Sequence, residues 1–208
     1  MAETTTTAAA PAGIVRSGPT TKYTSSVALG LARILVGPSA SNIAAITQVL
    51  DMDDDSLGAL NTSNFNSNVE YWRMESGFPA QEDISIPISE TAALECEFKE
   101  LNARNLAFAR GIDASTGYDD PHGGEIPLGN MAAPAFVRME AIYTYPNQVN
   151  HMYIIFPRAN VTSSVAINFA ASDNVNVPIT IEAKRADSGV DGGDAAWDIM
   201  SLGRIYFD

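Results

Sequence analysis

Hydrophobic positions in this chain recur mostly with a period of two, the spacing of strands whose side chains point alternately to opposite faces. Val69, Tyr71 and Arg73 share one face against Glu70, Trp72 and Met74, and Gly77 and Pro79 break the run. Ile84, Ile86 and Ile88 then alternate with Ser85, Pro87 and Ser89, and Leu94, Cys96 and Phe98 alternate with Glu95, Glu97 and Lys99, so a hairpin is expected. Upstream, the apolar run VALGLARILV over 27–36 reads as a buried strand closed by Gly37 and Pro38. The C-terminal half supplies AFVRMEAIYTY, HMYIIF, VAINF, VPITIEAK and IMSLGRIYF, each set off by Pro, Asn, Asp or Gly. Such a series predicts a mainly β chain, a β-sandwich or barrel.

One segment departs from the strand pattern. LNARNLAFARG is built of good helix formers and ends on Gly111, which predicts a short flanking α-helix over about 100–111, packed through Leu101, Leu106 and Phe108. Residues 1–26 are rich in Thr, Ser and Ala and poor in large apolar residues, so they are expected to form an N-terminal arm ahead of a β domain over 27–208. The polar stretch 38–68 reads as a long inter-subunit loop, and 115–130, dense in Gly, Asp and Pro, as a surface loop.

Composition narrows the role. A length of 208 residues, 46% of them hydrophobic, suffices for a core without covalent staples, and the single cysteine, Cys96, excludes an intramolecular disulfide framework. The formal charge of -13 opposes tight binding to nucleic acid, whose phosphates are held by Lys and Arg. Charged residues are only 18% of the chain, so much of the surface is polar but uncharged, which suits burial against other subunits. No run approaches the ~20 apolar residues of a membrane span, and no signal-peptide pattern opens the sequence.

Candidate chemistry is sparse. Asp51, Asp53 and Asp55 fall on the first three ligand positions of an EF-hand loop, but Ser56 stands at the glycine position and Thr62 at the bidentate glutamate position, so no metal is expected there. His122 could join Asp119, Asp120 and Glu125 around a divalent ion, yet DDPHGGE reads better as a polar turn; His151, at the start of a strand, reads as a packed or edge histidine. Cys96 faces the expected core and is read as inert. No nucleophile elbow and no phosphate-cradling glycine motif occurs, so neither enzyme activity nor a cofactor is expected.

The stretches HMYIIFPRANVTSSVAINFAASDNVNVPITIEAK and ISETAALECEFKELNARNLAFARGID carry a resemblance: a strand ending at Pro157-Arg158-Ala159 with two alternating strands after it, and a strand followed by a packing helix. Over about 27–208 the order of elements resembles bacteriophage major tail-tube proteins, whose relatives occur in contractile injection and type VI secretion systems. The resemblance implies a non-enzymatic subunit that partners itself in stacked hexameric rings. It implies a channel through which phage DNA passes without tight binding, and contacts with sheath, tape-measure, baseplate and terminator proteins. The expected location is the virion tail, with assembly in the host cytoplasm. Asp51, Asp53, Asp54 and Asp55, clustered in a charge-poor chain, are the candidate ring-stacking or luminal acidic loop. A capsid decoration or tail-terminator subunit, and a calcium- or carbohydrate-binding β-sandwich module, are the alternative readings.

Overall fold

The computed structural model describes residues 30, 32–78, 81–112, 125–126, 128, 134–162, 165–167 and 176–208. The expected arm over 1–26 lies outside them, as does most of the 115–130 loop. Seven strands form one antiparallel sheet: β1 Arg33–Pro38, β2 Leu60–Ser76, β3 Gln81–Phe98, β4 Val137–Thr144, β5 His151–Val161, β6 Val177–Ala183 and β7 Arg204–Phe207. The order is β1-β4-β5-β6-β3-β2, with β7 also on β5, and the sheet does not close. The mainly β expectation is met.

The sheet forks at β5. Residues 152–155 pair with β7 while Ala159–Val161 pair with β6, and both partners lie on the side of β5 opposite β4. The β4 pairing skips between Val137↔Ala159 and Met139↔Phe156, so Pro157-Arg158 form an irregularity where β5 leaves one partner for the other. Proline has no N–H to give a ladder and is tolerated at such a bulge. The strand expected to stop at Phe156 therefore bends and runs on to Val161.

Alternation along β1, β3, β4, β5 and β6 directs Val36, Leu94, Cys96, Phe98, Met139, Ile154, Phe156 and Ile179 into one core cluster. Phe108 of helix α2, Ala103–Ala109, joins that cluster. The helix begins at Asn102, whose side chain accepts from Asn105 N at 2.7 Å. It ends at Gly111, φ 72°, with Ile112 N donating to Ala107 O at 3.0 Å. Of the three side chains expected to pack it, Phe108 is buried, Leu106 half-buried and Leu101 exposed.

Three other expectations change. The first strand starts at Arg33, with residues 27–29 and 31 outside the described set. The loop expected over 38–68 contains α1, Ser39–Asn42, and ends before Leu60, because the Asn- and Ser-rich segment after it pairs along β3. Of VAINF, residues 165–167 are not strand and the rest lies outside the described set; of IMSLGRIYF only 204–207 pair.

Candidate assembly surface

The β2–β3 hairpin is far longer than the sheet it belongs to, with strands of 17 and 18 residues. β6 covers β3 only from Ala93 to Phe98. Beyond that point the two strands continue as a free ribbon, and every described residue from Glu70 to Thr91 is exposed. A two-stranded ribbon of this kind is marginally stable in water unless something packs on it.

The register explains which side chains the ribbon shows. Glu70 pairs with Ser89 but Tyr71 pairs with Pro87, leaving Ile88 as the extra residue of a bulge beside a proline. Below the bulge, Phe65 pairs with Leu94 on the core side. Above it, Trp72 pairs with Ile86 and Met74 with Ile84, on the opposite face. A single inserted residue thus carries two isoleucines away from the face of Leu94 and Cys96, although all lie in one even-numbered alternation. Trp72, Met74, Ile84 and Ile86 remain between 39% and 49% exposed.

The hairpin is also where charge collects. Between Leu60 and Phe98 stand Glu70, Glu75, Glu82, Asp83, Glu90, Glu95 and Glu97 against Arg73 alone, a net of -6 in a chain of -13. Arg73 pairs with Glu82 at 3.5 Å, both well exposed. The sequence alone points to Asp51–Asp55 as the acidic cluster; the hairpin acids gather only once β2 pairs with β3, as where Glu75 faces Glu82.

Asp51, Asp53, Asp54 and Asp55 are brought together, but as a self-capped turn. Asp51 Oδ1 accepts from Asp53 N at 2.8 Å and Asp54 N at 3.0 Å, and Asp55 Oδ2 accepts from Asp51 N at 2.8 Å. The Asp54 and Asp53 amides hold the Asp51 carboxyl below its ordinary value. Arg104 donates to Asp54 O and lies 3.7 Å from Asp55 Oδ1. The turn covers the edge of β1, since Val36 N donates to Asp55 O at 2.9 Å and Leu57 N to Ile34 O at 3.0 Å. β1 therefore has an internal partner, whereas among the described residues the outer edge of β2 and the 81–92 edge of β3 have none.

The other candidates disperse. Asp119, Asp120 and His122 lie outside the described residues, and Glu125 is exposed. His151 is half-buried at the start of β5, between Thr144, whose Oγ1 lies 3.1 Å from its Nδ1, and Asp208, whose carboxylate accepts from its N at 2.7 Å. Cys96 is buried, and burial pushes its thiol up to about 12. No group of three metal-ligating side chains occurs among the described residues.

No protein-family model matches the chain, and no curated protein does. Among solved structures it is similar to a chain of the sheath-tube complex of an extracellular contractile injection system (PVC) in the extended state. That match has 11% identity over 86% of this chain and 88% of the other, with a TM-score of 0.44. It is also similar to the tube-terminating cap of the anti-feeding prophage, at 10% identity over 95% and 99%, with a TM-score of 0.45.

Proposed function

We propose that this chain is a structural subunit of a tail tube of the phage or contractile-injection kind, assembling with itself into stacked rings and catalysing no reaction. The observation that carries the proposal is the β2–β3 ribbon, with Trp72, Met74, Ile84 and Ile86 uncovered and both strand edges open. Open edges are a hazard that soluble proteins normally blunt, and this chain does cover the edge of β1. Leaving the ribbon bare suits a chain whose partner is another copy. The β2 edge of one copy and the β3 edge of the next are different surfaces, so their pairing is head-to-tail and closes when the rotation fits a ring.

The acidic ribbon suits a conduit for DNA, because a wall of carboxylates repels phosphate and lets a duplex slide. Six copies per ring, a place in the virion tail and assembly in the host cytoplasm belong to the same proposal, as do contacts with sheath and terminator proteins. The acidic turn at Asp51, Asp53, Asp54 and Asp55 is the proposed site of a ring-to-ring or luminal contact. Negative-stain electron microscopy over a concentration series tests the proposal: rings or hollow filaments support it, and protein that stays monomeric at every concentration overturns it.

A further inference from the structure

Residues 54–59, which follow the acidic turn, run beside β1 without forming a strand of their own. Val36 N donates to Asp55 O at 2.9 Å and Leu57 N to Ile34 O at 3.0 Å, on either side of an antiparallel bridge between Leu35 and Ser56. The other side of this segment is held at α2: Asn105 Nδ2 donates to Leu57 O at 3.0 Å, and Ala59 N to Glu100 Oε1 at 2.8 Å. Arg104, in the first turn of α2, spans the junction. It donates to Asp54 O and, at 3.3 Å, to Val36 O, and its guanidinium lies 3.7 Å from Asp55 Oδ1. Ile34 O, Val36 N and Val36 O therefore all find partners within the chain, on the side of β1 away from β4.

The two ends of the strand order are thus treated differently. β1 stands at one end with its edge covered, and β2 stands at the other with its edge open. A bare strand edge is a template for pairing with another chain. Two copies meeting through β1 would present the same edge to each other, an isologous contact that closes on a pair. Such a contact competes with the head-to-tail series that the hairpin edges allow, because it ties copies together outside that series.

We propose that residues 54–59, clamped by Arg104, are an autoinhibitory guard on β1 that restricts self-association to the hairpin. It rests on the self-assembly proposed above, and adds the device that gives that assembly one direction. Arg104 is a positioning residue here: it acts through the carbonyls of Asp54 and Val36, holding the guard and the edge together from a helix that belongs to neither. Asp51 supports it from the turn, since its Oδ1 accepts from the amides of Asp53 and Asp54 at 2.8 and 3.0 Å and so fixes the approach of the chain to Asp55.

The test uses the full chain carrying Trp72→Ser and Ile86→Ser, which disable the hairpin face. This background should sediment as a monomer, and association that persists in it overturns the restriction to the hairpin. Adding Arg104→Ala and Asp51→Ala should speed exchange of the Val36 amide about tenfold or more, the loss of a charge-assisted hydrogen bond, while the Ile154 and Ile179 amides stay as slow as before. The same chain should then sediment as a dimer, and Arg104→Lys in place of Arg104→Ala should restore part of both effects. A Val36 amide that stays protected overturns the guard, as does a freely exchanging one in a chain that remains monomeric. Either failure leaves the tube proposal standing, whereas a wild-type chain that never assembles overturns that proposal whatever the guard does.

Discussion

Arg138 and Glu140 are two residues apart on β4 and both fully buried, with Arg138 Nε 2.6 Å from Glu140 Oε1. They share the face of β4 opposite the core, and both reach the same segment. Arg138 donates to the carbonyls of Asn42, Ala45 and Thr47 at 2.8–2.9 Å, and Glu140 accepts from the amides of Val49 and Leu50 at 3.1–3.3 Å. A stretch with little regular structure is thus given partners for its backbone by one ion pair. Trp197 Nε1 donating to Ile43 O at 2.5 Å, and Arg204 to Ile46 O at 3.0 Å, complete the fastening.

Removing one partner strands a buried charge, so Arg138→Met is expected to cost about 3–5 kcal/mol in chemical denaturation. Arg138→Met with Glu140→Leu removes both charges and should be clearly less costly than the single change. Even then amides 43–50 should exchange faster, because their acceptors and donors are gone. Equal losses for single and double variants would refute this account.

The ribbon face can be altered without touching the core. Trp72→Ser with Ile86→Ser should shift the monomer's stability by no more than about 0.5–1 kcal/mol, since both residues are half exposed and pair only with each other. Assembly, read by sedimentation, should be lost. A variant that sediments like the wild type would remove this face from the interface.

Acid should loosen three places first. Asp51 is held below 3.8 by the amides of Asp54 and Asp53, and Asp187 by the hydrogen bond from Arg185. Glu182 is held below 4.5 by the hydrogen bond from Lys184. Each carboxyl is lowered in the folded state, so its contribution is complete above its ordinary value and is lost as pH falls through the lowered one. Amide exchange at Asp53 and Asp54 should therefore rise below about pH 4. Asp51→Asn keeps the acceptor and should abolish that response, whereas Asp51→Ala should open the turn at every pH.

Gly203 leads into β7 at φ 141°, and a Cβ there would press on the carbonyl of Ile155. Gly203→Ala is expected to cost about 1–3 kcal/mol and to speed exchange along 204–207 ahead of the rest of the sheet. Uniform change across all strands would show instead that β7 is not a separable element.

Cys96, with its thiol pushed up to about 12 by burial, should resist alkylation in the native state at pH 8. Its labelling rate across a denaturant series then reports opening of the core, and rapid labelling in buffer alone would contradict its placement.

Local chemistry settled much of this protein in advance. The helix formers that end on Gly111 mark a helix from local chemistry alone, and the strict alternation of Leu94, Cys96 and Phe98 aims those side chains at one face. The strand character of 60–68 was not legible, because Asn and Ser favour turns until a partner strand supplies the backbone bonds. The bulge at Ile88 was equally hidden: one skipped residue inverts a face, and no alternation reveals where a ladder skips. Pairing between distant segments also decided the fork at Pro157 and the burial of Arg138 with Glu140. The sequence by itself determined that the chain is strand-rich and acidic. Only the tertiary structure decided which acids gather on the hairpin and which apolar residues are left for a partner, since both depend on register across strands far apart in the chain.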